Sequence, residues 1–190
     1  MRMKTILSVL AFVASVSLAS AQSYIANMDG AQDGGGGRTG SGIVNLTLNG
    51  STLTLSGTFS GLSAPVSSGG AHIHGPASPL GGPAPTSAGV LYSIFSLLTI
   101  NADQRSGTIN GTVNLATGTG GFDLPTQLTQ LNTGLWYLNI HTSGTGGTGF
   151  PGGEIRGQIL AVPEPSTLAM LGLGLVGMIG LGMRRRTRSR

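Results

Sequence analysis

Apolar and polar residues alternate along most of this chain, which is the period-two pattern of half-buried β-strands. Ile43, Leu46 and Leu48 mark one run, and Leu53, Leu55 and Phe59 mark the next. Asn49-Gly50 lies between them and predicts a two-residue hairpin, because both central positions of a type I′ turn need positive φ. Further strands are expected over residues 24–28, 71–74, 90–95, 108–115, 135–141 and 154–160. One short helix is expected after Asp123: Asp123 can cap it, Pro125 suits its first turn, Leu124, Leu128 and Leu131 share a face, and Gly134 stops it. The glycine tract 34–37 and the stretch 76–85 read as loops. The expected fold is all-β, an antiparallel, Greek-key-like β-sandwich of about eight strands. With five Phe, three Tyr and one Trp, its core must be mostly Leu, Ile and Val.

The two ends break this pattern and read as processing segments. Arg2 and Lys4 precede an apolar run over residues 6–18, and Ala19-Ser20-Ala21 follows with small side chains. This order predicts a signal peptide, residues 1–21, cut by signal peptidase after Ala21. A permanent helical anchor is the competing reading, and the shortness of the run speaks against it. At the other end, Pro163-Glu164-Pro165 precedes an apolar stretch over residues 167–183 and then five arginines, Arg184, Arg185, Arg186, Arg188 and Arg190. As a helix the stretch spans roughly 25 Å, slightly less than a ~30 Å hydrocarbon core. A transmembrane helix is therefore expected, with the arginines cytoplasmic and the domain outside.

Removing these ends changes the electrostatic picture. The formal net charge of +4 comes from leader and tail. Residues 22–162 keep Arg38, Arg105 and Arg156 against Asp29, Asp33, Asp103, Asp123 and Glu154, a net charge of −2. No basic surface for nucleic acid is left. The absence of cysteine excludes disulfides, thiolate ligands and cysteine nucleophiles.

The tail resembles the PEP-CTERM sorting signal in its three ordered parts: the Pro163-Glu164-Pro165 motif, the apolar helix and the arginine cluster, over residues 163–190. The resemblance implies recognition by an exosortase, a membrane protease-transpeptidase of Gram-negative bacteria that make extracellular polysaccharide. The implied route is an inner-membrane intermediate followed by transfer to the cell surface or matrix. A plain single-pass anchor is the rival reading.

All three histidines fall in two segments. His72 and His74 are two apart, so on a strand they face one side, roughly 6.6 Å apart, and Ile73 faces the other. In the second segment Trp136, Leu138 and Ile140 share one face, while Tyr137, Asn139 and His141 share the opposite one. The segments Ala71-His72-Ile73-His74-Gly75-Pro76, Trp136-Tyr137-Leu138-Asn139-Ile140-His141-Thr142 and Pro151-Gly152-Gly153-Glu154-Ile155-Arg156-Gly157-Gln158-Ile159 together resemble the CHRD domain, over about residues 23–160. That family implies a β-sandwich and brings no established enzymatic activity. A His-Xaa-His strand also occurs in Cu/Zn superoxide dismutase, but its two metals need more histidines than the three present here.

Two roles remain for His72, His74 and His141. Three neutral imidazoles with an open position could hold one zinc or copper ion. Alternatively they hydrogen-bond loops, fixing residues 143–153 against 71–76. Glu154 and Arg156, two apart, share a face, and Arg156 is expected in a surface or edge ion pair with Glu154 or Asp123, the alternative being recognition of a carboxylate on a ligand. No nucleophile elbow, phosphate loop or carboxylate pair is present, so the domain is not expected to be an enzyme. The leading expectation is an exported surface or matrix protein with a binding or scaffolding module, in contact with extracellular polysaccharide. The alternative is a metal-binding periplasmic or surface domain.

Overall fold

The computed structural model describes residues 21–163, except 35, 78–85, 118 and 145–148. The fold is all-β and antiparallel. Nine strands are described: β1 (Gln22–Asp29), β2 (Ser41–Asn49), β3 (Thr52–Ser60), β4 (Val66–His74), β5 (Val90–Ser93), β6 (Leu98–Ile100), β7 (Gly107–Asn114), β8 (Tyr137–Thr142) and β9 (Ile155–Ala161). They pair as one sheet in the order β5-β4-β8-β9-β1-β2-β3-β7-β6. The sheet curls on itself, and the expected sandwich is realised by its two halves sharing one core. Leu46, Leu53, Leu55 and Ile109 of one half join Ile73, Leu138, Ile140 and Ile159 of the other in a single cluster.

The alternation in sequence becomes alternation in burial. On β2, Val44, Leu46 and Leu48 turn inward between exposed neighbours, and on β3 Leu53, Leu55 and Phe59 do the same. The registers Leu46↔Leu55 and Leu48↔Leu53 place these side chains opposite one another across the strand pair. The hairpin forms, but its centre is Gly50-Ser51 rather than Asn49-Gly50, since Asn49 pairs with Thr52. Only Gly50 has positive φ, +60°, which suits a type II′ turn with glycine first.

The helix α1 (Leu124–Asn132) starts where expected. The Asp123 carboxylate accepts a 3.0 Å hydrogen bond from the Thr126 amide. Leu131 is buried, Leu124 and Leu128 pack at the core margin, and two glutamines are buried with them. Gln127 donates to the Leu115 and Phe122 carbonyls and accepts from the Tyr92 hydroxyl. The Gln130 side-chain carbonyl accepts from the indole N–H of fully buried Trp136 at 3.0 Å.

Strands β4, β8 and β9 differ from the rest. Their apolar side faces the common core, yet the opposite side is covered too: every residue of β8 except His141 is buried, as are Ile155 to Ile159 of β9. The covering segments are the turn Ala31–Asp33, residues 86–88 and residues 149–154, and the site lies beneath them. Among the described residues no helix is long and apolar enough to cross a membrane, and the expected helix over 167–183 lies outside them.

Candidate metal centre on the covered face of β4, β8 and β9

Antiparallel pairing sets the rows of this face. His72 lies opposite Asn139, Asn139 opposite Arg156, and His74 opposite Tyr137, which lies opposite Gln158. His141, two residues beyond Asn139, completes a triangle with the two histidines of β4. Ring centroids are 5.4 Å apart for His72–His74, 5.1 Å for His72–His141 and 5.7 Å for His74–His141. One nitrogen from each ring lies within 4.8 Å of the other two. Nitrogens on a tetrahedral zinc ion stand roughly 3.4 Å apart, so small side-chain movements close the triangle on an ion.

The hydrogen bonds decide which nitrogen is free. His74 Nδ1 lies 2.9 Å from the Ala88 carbonyl, and His141 Nδ1 lies 2.8 Å from the Pro151 carbonyl. A carbonyl can only accept, so each Nδ1 carries a proton, and in the neutral ring the lone pair is on Nε2. Both Nε2 atoms, and Nδ1 of His72, are buried without a hydrogen-bond partner. Burial holds the pKa of His74 below its ordinary value. The nearby His141, His72 and Arg156 push the same way, and the Ala88 carbonyl opposes them. Burial, followed by His141, lowers His72 as well. Both imidazoles are therefore neutral near pH 7, and in His74 the bond to the Ala88 carbonyl leaves Nε2 as the unprotonated nitrogen.

The structure places all three expected histidines together. It also assigns the loop-fixing role to atoms that a metal would not use, since the Nδ1 bonds of His74 and His141 tie down residues 88 and 151. Such bonds to carbonyls are the usual support of metal-binding imidazoles, fixing tautomer and ring direction.

Around the triangle are polar groups that sequence reasoning missed or misplaced. Glu154 and Arg156 do not form the expected surface ion pair, because both are buried and point to different partners. Glu154 accepts from the Ser63 amide and, at 2.6 Å, from the Thr142 hydroxyl. The Thr142 hydroxyl in turn accepts from the Phe150 amide at 3.0 Å, which ties the 149–154 segment to β8. Arg156 lies with its guanidinium 3.6 Å from the Tyr137 ring centroid, and Tyr137 stacks on His74 at 4.9 Å. Its hydrogen bonds go to the Thr86 carbonyl and the Gln158 side chain, so Asp123 plays no part. Asp33, from the turn after β1, hydrogen-bonds Asn139, and burial raises its pKa while Arg38, Arg156 and His141 act in the opposite direction. Nothing in the local sequence of Asp33 signals this position.

Gly153 permits the close approach. Its φ is +130°, and a Cβ there would lie 2.0 Å from Asp33 Oδ2 and 2.4 Å from Asn139 Nδ2. Arg38 then locks the two loops together, donating to the Gly153 carbonyl at 3.0 Å and lying 4.3 Å from the Phe150 ring centroid.

The family model of the CHRD domain matches residues 24–159. This chain belongs to the CHRD family. The match takes in part or all of each of the nine strands, and the histidine triangle lies inside it. Following the CHRD domain, residues 161–186 match the PEP-CTERM protein-sorting motif. This CHRD protein is accordingly exported and sorted by the exosortase route of Gram-negative bacteria, to the cell surface or beyond. Comparison with curated proteins finds no match. Pro163 is exposed two residues after the last strand, Ala21 is exposed directly before the first, and Glu164 and Pro165 lie outside the described residues.

Proposed function

We propose that this CHRD domain is a non-enzymatic, surface-displayed binding module that holds one zinc or copper ion through His72, His74 and His141. The observation that carries this reading is the convergence of three unpartnered, buried imidazole nitrogens within 4.8 Å. An unpaired buried polar atom costs about 1–3 kcal/mol, so three at one point favour an occupant there. Three imidazoles and, among the described residues, no fourth protein ligand grouped with them match a site with an open coordination position. The open position gives the module a means of capturing a donor group from another molecule. Exosortase sorting puts that means at the surface or in the polysaccharide matrix.

The full chain, extracted in detergent without chelator or polyhistidine tag, tests this by elemental analysis. Near one zinc or copper per chain is expected, falling to background in His141→Ala. Metal-free wild-type protein after dialysis against both ions contradicts it. In that event the Nδ1 bonds of His74 and His141 to loop carbonyls favour a second reading, a scaffolding module whose histidines are structural. Recovery of the mature protein in the extracellular polysaccharide fraction is the expected outcome under either reading.

A further inference from the structure

Away from the histidines, strands β2, β3 and β7 are adjacent in the sheet and turn their outer face to solvent. The three strands contain no Asp, Glu, Lys, Arg or His. Their outward residues are Thr, Ser and Asn, with Ile43, 44% exposed, as the one large apolar side chain among them. The registers align these residues in rows across the strands. Ile43, Thr58 and Thr108 make one row, and Asn45, Ser56 and Asn110 make the next. Both rows line a shallow trough of about 410 Å³, with Gly57 and Ile109 beneath it. From β2 to β7 it spans roughly 10 Å, two strand spacings. A second trough, of about 260 Å³, adjoins it at Ile43 and Thr58. The side chains of Asn45, Ser56, Thr58, Thr108 and Asn110 hydrogen-bond no other described residue, so each can exchange water for a ligand.

The chemistry of this face selects its occupant. Without a cation it offers nothing to phosphate, nucleic acid or an anionic headgroup. Protein partners, a second copy included, are anchored chiefly by aromatic and arginine side chains, and none points outward from these strands. What the face does offer is hydroxyls and amides that both donate and accept, interleaved with threonine methyls and Ile43. A molecule of the same make-up, hydroxyls around a ring whose remaining surface is C–H, complements it. That is a neutral sugar polymer, and export places the face where such polymers are met.

We propose that the outer face of β2, β3 and β7 binds a neutral, hydroxyl-rich polysaccharide. Asn45 and Asn110 hydrogen-bond sugar hydroxyls at the two ends of the trough, and Ile43, Thr58 and Thr108 contact ring C–H groups. This site is separate from the histidine triangle and does not depend on a metal there. It has no aromatic stacking platform, so each contact is weak and retention comes from repeated units along the polymer.

Sedimentation with insoluble cellulose, chitin and mannan tests the proposal. The full chain is used, in a detergent without a sugar headgroup. Retention on at least one polymer is expected, unchanged in about 1 M salt because there is no charge to screen. Asn45→Ala with Asn110→Ala should weaken it roughly tenfold, the worth of two neutral hydrogen bonds. Ser56→Arg, which fills the centre of the trough, should abolish it. Both variants change solvent-facing positions and should melt like the wild type, and if Ser56→Arg does not, the alanine pair decides. His141→Ala should be retained like the wild type. Retention on none of the three polymers, its loss in salt, or full retention of a folded Ser56→Arg or of the alanine pair overturns the proposal. Retention lost in His141→Ala but kept in Ser56→Arg moves the sugar to the metal centre and also overturns it. An oligomer broken by Ser56→Arg, with polymer retention intact, assigns the face to a second copy instead.

Discussion

Replacing Gly153 by alanine tests how the loops are seated over the histidines. Two costs arise at once. The backbone φ of +130° lies where L-residues are strained by about 1–3 kcal/mol. The new methyl would also sit 2.0 Å from Asp33 Oδ2 and 2.4–2.6 Å from the Asn139 amide, and overpacking of that kind costs about 1–3 kcal/mol. The sum, roughly 2–6 kcal/mol, is a large share of a total stability of about 5–15 kcal/mol. For a domain of this size it lowers the melting temperature by roughly 10 °C. The neighbouring Gly152 provides the control: a Cβ there meets nothing within 4 Å and its φ is unstrained, so Gly152→Ala should change stability by no more than about 0.5 kcal/mol. Urea unfolding of both variants measures the difference. Adding Asp33→Ala to Gly153→Ala removes the nearest clash and should recover part of the loss, a coupling visible in a double-mutant cycle. Equal stability of the two glycine variants, or strict additivity with Asp33→Ala, would refute the proposed packing of Asp33 and Asn139 beneath Gly153.

Other consequences follow from the same geometry. Gln130→Leu leaves the Trp136 indole N–H buried without its acceptor, so unfolding free energy should drop by about 1–3 kcal/mol in denaturant titrations. In the metal-free protein, the lowered pKa values of His72 and His74 mean that the unfolded chain binds more protons than the folded one below the ordinary value of 6.5. Stability should therefore fall as the pH drops from about 6.5 toward the folded-state values, and His74→Gln should weaken that fall. Zinc at about one hundred times its dissociation constant should stabilise the wild type by about 2.7 kcal/mol, read as a higher melting temperature, and His72→Ala should abolish the gain.

Much of the fold was legible because β2, β3 and β7 keep one face wet, and alternation survives in sequence wherever one side of a strand meets water. Strand β6 (Leu98–Ile100) was missed, since three residues are too few to show a period. Pairing of His72 with His74 could be read from strand geometry alone. Their approach to His141 could not, because it depends on β4 (ending at His74) and β8 (beginning at Tyr137) being sheet neighbours far apart in sequence, and only the family motifs brought the two segments together. Glu154 and Arg156 were expected at the surface because charged residues are seldom fully buried. Their burial comes from loops folding over the second face of β8 and β9, a long-range event with no local signature. The same holds for Asp33, whose glycine-rich surroundings read simply as loop.

X-ray absorption at the zinc edge of the zinc-loaded full chain tests the central claim most directly. Three nitrogen scatterers at roughly 2.0 Å with imidazole multiple scattering, and one lighter oxygen-type ligand, are expected. A shell of oxygens without imidazole features, or an unchanged spectrum in the His72→Ala, His74→Ala, His141→Ala triple variant, would contradict the three-histidine centre.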